Sequence, residues 1–383
     1  MRILAVGGGS GGHVTPVVAV LRELREKTPH AEIRFWCDTK FAPQARSLMQ
    51  HLDPNLRVDS IVSGKLRRYH HLTVIRQLLW PRLVLLNIRD SFLVVIGFLQ
   101  SFAKLVIWRP DVVFTKGGYV CLPVGLAAKI LGIPLVIHDS DAHPGLTNRI
   151  LAKWATVIAT GAPLEYYDYP KNRSRYIGIP ISPDFHDFST HERTVARQEW
   201  GIDLDQPLIV ITGGGLGAQR INNAVIEVLP KLLKLGSVVL VAGSAQYDEL
   251  AALMPSNSTH FQLHPFIAEG MATLLGGADV VVTRAGATTI LELAALAKPT
   301  ILIPNGKLTG GHQIKNAKVY SDAKAVKIVD EDEMMGDSEV LVQAIQELLD
   351  NRSMASDLSK NLSQFARPHA AEDMANMIID AVR

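Results

Sequence analysis

The stretch ADVVVTRAGATTILELAALAKPTILIP, residues 278–304, decides the fold. Val280–Val282 is a short apolar run of the kind found in buried parallel strands. Arg284–Gly286 interrupts this run, apolar residues recur at helical spacing over Ile290–Ala297, and Thr300–Ile303 then resumes as a strand. The stretch therefore predicts a strand, a glycine turn, a helix and a second strand, which together form one βαβ unit.

The helix in this unit has two features that suit a nucleotide. Its first turn, Gly286–Thr288, offers unpaired backbone N–H groups and the positive end of the helix dipole to an anion such as a phosphate. Glu292 lies on the face away from the apolar residues, where its carboxylate can accept hydrogen bonds from both hydroxyls of a ribose. A solvated glutamate on an amphipathic helix is the simpler interpretation of this residue alone, and the rest of the chain decides between the two.

Length and composition indicate a globular α/β protein with two domains. A chain of 383 residues exceeds one ordinary hydrophobic core, and 48% hydrophobic with 20% charged residues is typical of folded proteins. The net charge of +2 argues against a protein that wraps nucleic acid. Cys37 and Cys121 form no Cys-x-x-Cys or Cys/His pattern, so we expect no disulfide framework and no zinc site, which fits a reducing cytosol. No cofactor is predicted.

The amino terminus has the same order of strand, glycine turn and helix. Ile3–Val6 predicts a strand, Gly7–Gly12 a loop, and Pro16–Arg25 a helix with its proline near the first position. The loop also satisfies the dinucleotide pattern G-x-G-x-x-G, and Asp38 after the next strand could bind the ribose of such a ligand. Because this pattern is permissive, a dinucleotide site is only one of two interpretations of the loop.

His13 supports the other interpretation. It follows the glycine loop at the carboxyl edge of the predicted sheet, where open α/β folds bind ligands. An imidazole titrates near neutral pH, so His13 could accept a proton from a hydroxyl or help to hold a diphosphate. A helix-capping or merely exposed histidine is the alternative.

Residues 63–108 have a composition unlike the rest of the chain. Between Lys65 and Trp80, cations alternate with aromatic and aliphatic residues, which suits contact with an anionic lipid surface. For Leu83–Leu105 we expect an ordinary helix that buries its leucines. The uncharged core of this run, Ser91–Ala103, is too short to cross a bilayer, so no transmembrane helix is predicted. The amino terminus predicts a strand that runs into a glycine loop and does not resemble a cleavable signal peptide.

A polar cluster follows another predicted strand, Pro134–Ile137. The sequence HDSDAHPGLTN places His138, Asp139, Asp141 and Asn148 just beyond this strand. Polar groups at the end of a parallel strand are typical of the lining of a binding site. The spacing of the histidines and aspartates would also allow a metal, although no helical i, i+4 pair supports one.

The second half of the chain opens on the same plan as the first. Leu208–Thr212 predicts a strand, and Gly213–Gly217 a glycine loop before a helix. The chain is therefore predicted to form two Rossmann-like domains whose parallel sheets face each other across a cleft, with a C-terminal helix that packs back on the body. The predicted boundaries are 1–162 for the amino-terminal domain, 163–187 for a connection that serves as a hinge, 188–360 for the carboxyl-terminal domain and 361–383 for the last helix.

Eight motifs resemble those of one family. In chain order they are GGGSGGHVTP, SGKLRRY, TKGGYVCLPVGLAA, HDSDAHPGLTN, GGGLGAQRIN, PFI, TRAGATTILELAALAKPTILIP and HQIKNA. Their order and spacing are similar to those of MurG-type N-acetylglucosaminyltransferases, and the resemblance spans essentially the whole chain. It implies the GT-B architecture and a peripheral protein at the cytoplasmic face of the plasma membrane. The implied reaction moves N-acetylglucosamine from UDP-N-acetylglucosamine to the C4 hydroxyl of undecaprenyl-pyrophosphoryl-N-acetylmuramyl-pentapeptide, with inversion.

The resemblance also implies which residues contact the donor, UDP-N-acetylglucosamine. Phe266 and Ile267 would frame the uracil, and Glu292 would hold the ribose. Arg284 and the turn at Gly286 would lie near the uridine and the diphosphate. The full implied set is Gly215, Phe266, Ile267, Arg284, Gly286, Ala287, Thr288, Glu292 and Gln313.

The residues implied for the lipid-linked muramyl-pentapeptide acceptor lie in the first half. Asp139 and Asp141 would lie beside it, together with Ser10, Gly11, Gly12, His13, Tyr119, His138 and Asn148. Inversion requires a base on the far side of the anomeric carbon from the leaving diphosphate. We predict His13 for this role, with Asp139 or Asp141 as the next candidates. The helix terminus at Gly286 would meet the leaving charge, so no metal is required.

Three departures from the usual family motifs keep alternatives open. Gly215 and Leu216 stand where the family usually has Ser and Gln, Ser182 stands in place of an arginine, and Asp139 and Asp141 replace Glu and Asn. A missing charged hydrogen bond would weaken donor binding by about 1.5–3 kcal/mol. The alternatives are a related transferase that acts on another lipid acceptor, such as a diacylglycerol, and a catalytically degenerate protein that binds a nucleotide sugar at the membrane.

Overall fold

The chain forms two compact units. The computed structural model describes residues 1–8, 11–67, 73, 76, 79–214, 217–253, 256–267, 269–306 and 311–382, without the side chains of residues 11–13, 44 and 51. The first unit comprises Met1–Ser182, Leu308–His312 and His369–Arg383, and the second comprises Pro183–Lys307 and Gln313–Pro368.

The first unit contains a parallel sheet with the strand order β3-β2-β1-β4-β5-β6-β7. Its strands are β1 (Arg2–Val6), β2 (Glu32–Asp38), β3 (Arg57–Ile61), β4 (Val112–Thr115), β5 (Leu135–Asp139), β6 (Val157–Thr160) and β7 (Ser174–Tyr176). Its helices, in chain order, are α1 (Gly11–Lys27), α2 (Ala42–Leu52), α3 (Pro81–Trp108), α4 (Cys121–Ile130) and α5 (Leu146–Leu151). The central strands are mostly apolar and almost entirely buried because helices cover both faces of the sheet.

The second unit contains a sheet with the corresponding order β10-β9-β8-β11-β12-β13, also parallel. Its strands are β8 (Leu208–Thr212), β9 (Ser237–Val241), β10 (Phe261–His264), β11 (Val280–Thr283), β12 (Thr300–Leu302) and β13 (Lys327–Ile328). Its helices are α6 (Thr190–Glu199), α7 (Gln219–Leu235), α8 (Tyr247–Ala251), α9 (Met271–Gly277), α10 (Ala287–Ala295), α11 (His312–Asp322), α12 (Glu331–Gly336), α13 (Glu339–Asp350) and α14 (Arg352–Ser363). The prediction of two Rossmann-like parallel sheets is confirmed.

The last helix, α15 (Ala370–Asp380), packs on the first unit. Met374 and Ile378 are fully buried in the same apolar cluster as Val17 of α1. The Lys27 ammonium also lies 2.9 Å from the Glu372 carboxylate. The C-terminal helix therefore packs back on the body as predicted, although the chain reaches it only after helix α14 has ended in the second unit.

Two predicted segments have different bounds in the structure. The stretch predicted as a connection, 163–187, contributes strand β7 to the first sheet, and residues up to Ser182 belong to the first unit. Helix α1 begins at Gly11 rather than near Pro16, so this proline lies inside the helix. A proline beyond the first turn removes one helical hydrogen bond, which the sequence pattern did not lead us to expect.

Helix α3 is the largest departure from the sequence-based expectation. Its buried residues are Leu83, Asp90, Gly97, Ser101, Leu105 and Trp108, so apolar side chains are buried only near its two ends. The exposed apolar residues are Leu85, Ile88, Phe92, Val95, Ile96, Leu99, Val106 and Ile107. The prediction that this run buries its leucines therefore holds for Leu83 and Leu105 and is wrong for Leu85 and Leu99. By length and composition alone α3 could also cross a bilayer, contrary to the estimate from its uncharged core.

The inner face of α3 is polar because it binds the backbone of the preceding segment. The Asn87 amide bonds both the N–H and the carbonyl of Arg67, at 2.8 and 3.1 Å. Gln100 accepts the Val62 N–H at 2.9 Å. A Cβ on Gly97 would lie 1.9 Å from the Val62 carbonyl oxygen, so this close approach requires glycine. These contacts hold the polar face of α3 against the protein and leave its apolar face outside.

Candidate functional site

The predicted anion site in the second unit lies at the start of α10. Gly286 is the N-cap residue, and no side chain in the described part of this turn caps the helix. The Gly286 carbonyl accepts the Ile290 N–H at 3.0 Å, which closes the first turn. The N–H groups of the first turn, including those of Ala287 and Thr288, therefore point toward the carboxyl edge of the sheet, as anion binding at a helix terminus requires.

Glu292 lies on the same helix and is half-buried. Its carboxylate forms no hydrogen bond or ion pair with a side chain or backbone group in the described ranges. Burial alone raises the pKa of this carboxyl to about 7. A carboxylate that is removed from water without an internal partner is costly unless a ligand supplies the hydrogen bonds, which matches the predicted contact with ribose.

Arg284 has a different position from the one we expected. The residue is 7% exposed. Its guanidinium donates to the Ile303 carbonyl at 3.0 Å and to the Glu331 carboxylate at 2.5 Å. Arg220 donates to the second oxygen of Glu331 at 2.9 Å. The terminal nitrogens of Arg284 are thus engaged inside the second unit, where the guanidinium supports the turn before Gly286 and is not presented to a diphosphate.

Phe266 and Ile267 follow strand β10, and they differ in exposure. Phe266 is 55% exposed and free to stack on a ring, whereas Ile267 is buried. Gln313, at the start of α11, accepts the Asn305 N–H at 2.8 Å through its side-chain oxygen. Asn316, which the sequence analysis did not single out, donates to the Ala285 carbonyl at 3.2 Å and so ties α11 to the turn before α10. Gly215 and Leu216 lie outside the described residues.

The predicted diphosphate site in the first unit is described in part. Gly11 and Gly12 form the first turn of α1, so their N–H groups lie at a helix terminus. Ser10 and the side chain of His13 lie outside the described part of the chain. The predictions for these two residues stay predictions.

Tyr119 and Asp38 form a pair beside this glycine loop. The Tyr119 hydroxyl is hydrogen-bonded to the Asp38 carboxylate, and burial followed by that charge raises the pKa of Tyr119. Asp38 also accepts the N–H groups of Lys40 and Phe41, at 3.1 Å each. A Cβ on Gly8 would lie 2.6 Å from the second Asp38 oxygen, which explains a glycine at this position. Because the Asp38 carboxylate is already bonded to these internal partners, it is not available to bind a ribose, which argues against the dinucleotide site.

His138, Asp139 and Asn148 lie beneath the carboxyl edge of the first sheet instead of lining it. His138 is fully buried, and its Nε2 lies 2.8 Å from the Gly178 carbonyl oxygen. Asn148 donates to the His138 carbonyl at 3.2 Å. Asp139 is 4% exposed and accepts a hydrogen bond from the Tyr169 hydroxyl at 2.8 Å. These three residues form a buried polar network that supports the surface above it.

The electrostatics of this network make Asp139 titratable near neutral pH. Burial, and then the charge of Asp141, raise the pKa of Asp139 to about 7. Hydrogen bonds from Tyr169 and Asn148 and the charge of Lys116 act in the opposite direction. Asp141 keeps a third of its side chain exposed. The structure thus offers two carboxyl groups with different environments, which is a usual arrangement for acid–base chemistry.

Some residues of the site were not found from the sequence. Lys116 directly follows β4 in the motif TKGG, which we quoted without giving the lysine a role, and it is 1% exposed. Tyr169 and Glu331 lie outside the quoted motifs and could not be found from spacing. No group of three or more His, Cys, Asp and Glu that could hold a metal ion occurs in the described ranges.

Comparisons with known proteins cover the whole chain. Residues 3–160 match the glycosyltransferase family 28 N-terminal domain, and residues 208–374 match the glycosyltransferase family 28 C-terminal domain. The chain is 31% identical over 386 residues, covering 100% of both proteins, to the UDP-N-acetylglucosamine–N-acetylmuramyl-(pentapeptide) pyrophosphoryl-undecaprenol N-acetylglucosamine transferase of an Exiguobacterium species. It is 31% identical over 390 residues, covering 99% of both, to the protein of the same name from Lactococcus lactis subsp. cremoris.

A solved structure shows the same fold. The crystal structure of Acinetobacter baumannii MurG superposes with a TM-score of 0.70 and 26% identity, covering 99% of both chains. The predicted GT-B fold class is confirmed by this likeness and by the two family 28 domains.

Proposed function

The chain belongs to the family of UDP-N-acetylglucosamine–N-acetylmuramyl-(pentapeptide) pyrophosphoryl-undecaprenol N-acetylglucosamine transferases, and on this premise we propose that it transfers N-acetylglucosamine from UDP-N-acetylglucosamine to the lipid-linked muramyl-pentapeptide. The product is the lipid-linked disaccharide used to build peptidoglycan. The observation that carries the proposal within the molecule is the half-buried Glu292, which lies nearly two turns after the uncapped helix terminus at Gly286 and whose carboxylate has no hydrogen-bond or ion-pair partner in the described ranges.

The donor is held by the second unit. Glu292 accepts hydrogen bonds from the ribose hydroxyls, and the first turn of α10 at Gly286–Thr288 binds the diphosphate. The exposed ring of Phe266 stacks on the uracil, Ile267 offers backbone hydrogen bonds, and Gln313 contacts the sugar. Because the diphosphate gains charge as it leaves, dipoles that already point toward it lower the barrier more than they tighten ground-state binding.

The acceptor is held by the first unit. Its pyrophosphate binds at the start of α1, where Gly11 and Gly12 present backbone N–H groups. His13 follows on the same turn and is the proposed base that removes the proton from the C4 hydroxyl. Asp139 is the next candidate, since a carboxyl whose pKa is about 7 can exchange a proton near neutral pH. Asp141, which is partly exposed, is the third.

The apolar face of α3 is the proposed membrane contact. The helix has 28 residues and is therefore about 42 Å long, and its outward side chains are apolar while its polar ones bind the protein. A pocket of about 230 Å³ at its start is lined by Arg67, Trp80, Arg82, Leu83 and Leu86, a mixture of cations and apolar groups that suits a lipid headgroup. Much of the stretch from Lys65 to Trp80 lies outside the described residues. The protein would thus lie at the cytoplasmic face of the plasma membrane with α3 parallel to the surface.

Binding to anionic vesicles tests this membrane contact. We expect Phe92→Glu combined with Ile96→Glu to reduce partitioning at least about tenfold, because each change removes roughly 1.5–3 kcal/mol of apolar burial. The control is Val195→Glu combined with Leu204→Glu, which changes two exposed apolar residues of the second unit. Equal partitioning of the two double variants would refute α3 as the contact.

Radiolabel transfer tests the reaction itself. Wild-type protein should transfer label from UDP-N-acetylglucosamine to the undecaprenyl muramyl-pentapeptide acceptor or a shorter-chain form of it. His13→Ala and Glu292→Ala should each lose at least roughly 100-fold, which corresponds to about 2.7 kcal/mol. Glu199→Ala, an exposed glutamate in the same unit as Glu292, is the control and should retain activity.

The same assay separates the two alternatives. Transfer to a diacylglycerol but not to the muramyl acceptor would identify a transferase with another lipid acceptor. Donor binding with no transfer to either acceptor would identify a binding protein, the outcome that Gly215, Leu216 and Ser182 favour.

A further inference from the structure

Lys116 lies at the centre of the carboxyl edge of the first sheet. It directly follows β4, and its N–H bonds the Val6 carbonyl of β1 at 2.9 Å. Its side chain is sealed beneath this edge, with 1% of the residue exposed. The ammonium donates to the Ser140 hydroxyl, which belongs to the turn after β5. Lys116 therefore links the ends of three adjacent strands at the point where the strand order reverses, the usual ligand site of an open α/β sheet.

Acidic groups surround this ammonium without contacting it. The charges of Asp139 and Asp141, both near the end of β5, favour its protonated form. The Cys121 thiol of α4 also faces it, but donates to the Gly117 carbonyl at 2.9 Å and stays neutral because burial raises its pKa to about 12. From the segment before β7, the Tyr169 hydroxyl donates to Asp139. Lys116 and Asp139 therefore lie in a site that is largely closed to water, whereas Asp141 keeps a third of its side chain exposed and lies 3.7 Å from the His312 imidazole.

A buried ammonium is costly unless opposite charge compensates it. Burial disfavours the charged form of both groups: it lowers the pKa of Lys116 to about 8 and raises that of Asp139 to about 7. The attraction between the two opposite charges acts against burial, since it raises the pKa of Lys116 and lowers the pKa of Asp139. Replacing a buried charge by an apolar side chain is often neutral or stabilising, so stability alone does not explain a lysine at this position.

We propose that Lys116 is a positioning residue for the transfer reaction: its ammonium, which donates to the Ser140 hydroxyl, fixes the Asp139–Ser140 turn and places a positive charge near the Asp139 carboxyl at the acceptor side of the sheet. This inference rests on the proposed function. Because Asp139 is 4% exposed, it acts on the acceptor through its charge: a negative carboxylate beneath the edge of the sheet stabilises the positive charge that a base above it gains when it removes the proton from the acceptor hydroxyl. A neutral Asp139 would not provide this stabilisation.

The pH dependence of kcat/KM for the acceptor tests the proposal. In Lys116→Met the acid limb should move upward by about one pH unit, because Asp139 loses the nearby positive charge. At pH 6.5 the variant should be roughly five- to tenfold slower than wild type. Near pH 9 the two should agree within about twofold, since Lys116 itself has lost its proton there in the wild type. An acid limb that does not move would overturn the proposal.

Two variants separate charge from packing. Lys116→Gln keeps a group that can donate to Ser140 but has no charge, so it should behave like Lys116→Met; Lys116→Arg keeps the charge and should return the acid limb toward the wild-type position. Lys298→Met is the matched control, because Lys298 is also a buried lysine with a lowered pKa but lies in the second unit, bonded to the Gly276 carbonyl. A shift of equal size in Lys298→Met would mean that loss of any buried lysine moves the profile, and would refute the specific role.

Infrared titration gives a readout that needs no transfer. The carbonyl band of the protonated Asp139 carboxyl, identified by its loss in Asp139→Asn, should titrate about one pH unit higher in Lys116→Met than in wild type. If wild type transfers nothing but this shift occurs, the reaction assignment fails while the link between Lys116 and Asp139 stands. If the band titrates at the same pH in both proteins, the link itself is refuted.

Discussion

The two sheets place a buried cation at equivalent positions, and the two cations are held in different ways. In each sheet a strand that ends in threonine pairs with the first strand of its unit, Thr115 with Val6 and Thr283 with Thr212. The next residue is Lys116 in the first unit and Arg284 in the second, 1% and 7% exposed. The Arg284 guanidinium contacts a carboxylate and a carbonyl, whereas the Lys116 ammonium donates to the hydroxyl of Ser140.

This difference separates a fixed charge from an adjustable one. A guanidinium keeps its proton throughout the physiological range, and Arg284 is in direct contact with Glu331. An ammonium loses its proton readily when buried, and Lys116 has acids near it but not in contact. The second unit therefore uses its cation to hold the turn before the donor helix, while the first unit has a cation whose charge is coupled to the ionisation of Asp139.

Breaking the fixed pair should have the largest effect. Glu331→Leu leaves the Arg284 guanidinium buried without its carboxylate, so we expect the free energy of unfolding of the second unit to fall by about 3 kcal/mol or more. Urea unfolding measures this change. The control is Glu347→Leu, which removes an exposed partner of Lys327 and should cost less than about 1 kcal/mol. Similar losses in both variants would contradict a special role for the Arg284–Glu331 pair.

The next effect concerns donor binding by the second unit. Glu292→Gln removes the charge that is proposed to accept the ribose hydroxyls while keeping the size of the side chain. We expect the dissociation constant for UDP-N-acetylglucosamine to rise at least about tenfold, which corresponds to 1.4 kcal/mol or more. Calorimetry at pH 8 measures it. Unchanged affinity would mean that Glu292 is only a half-buried helix residue.

Donor binding should also depend on pH. The raised pKa of Glu292, about 7, means that its carboxyl is mostly charged at pH 8 and mostly protonated at pH 6. The affinity for UDP-N-acetylglucosamine should therefore fall up to about tenfold as the pH is lowered from 8 to 6. The same titration of Glu292→Gln should show little change over this range, and an equal decline in both proteins would assign the effect to another group.

The smallest expected effect is on the free energy of unfolding in Lys116→Met, and it distinguishes Lys116 from Arg284. Lys116→Met removes a buried charge that contacts no carboxylate, so the free energy of unfolding should change by no more than about 1 kcal/mol at pH 7. The lost hydrogen bond to Ser140 and the gained apolar contact largely offset each other. A loss as large as that in Glu331→Leu would show that the two cations serve the same structural purpose.

The sequence predicted strands and glycine turns well because their signals are local. Strand β8 has the predicted bounds, Leu208–Thr212, because an apolar run between a proline and a glycine is recognised within a few residues. The helix terminus at Gly286 was found in the same way. Strand β7 was missed because three residues within a proline-rich and tyrosine-rich segment have no periodicity to detect.

Whether a side chain points into the protein or toward solvent was predicted poorly, because this depends on partners that are distant in sequence. The composition of α3 predicted burial of its leucines, but Asn87 and Gln100 bind the backbone of residues 60–67 and turn the apolar face outward. In the same way, His138 and Arg284 were expected to contact a substrate because their side chains can bind polar or charged groups. Their partners, the Gly178 carbonyl and Glu331, come from other elements and turn both side chains inward.

One set of transfer assays tests most directly whether the two units divide the reaction between them. The donor KM and the acid limb of the pH profile are measured together for wild type, Glu292→Gln and Lys116→Met. We expect Glu292→Gln to raise the donor KM at least about tenfold at pH 8, and Lys116→Met to move the acid limb at saturating donor while leaving the donor KM at pH 8 within about twofold of wild type. Parallel changes of both quantities in both variants would contradict the division of roles, and no transfer by wild type would contradict the proposed reaction itself.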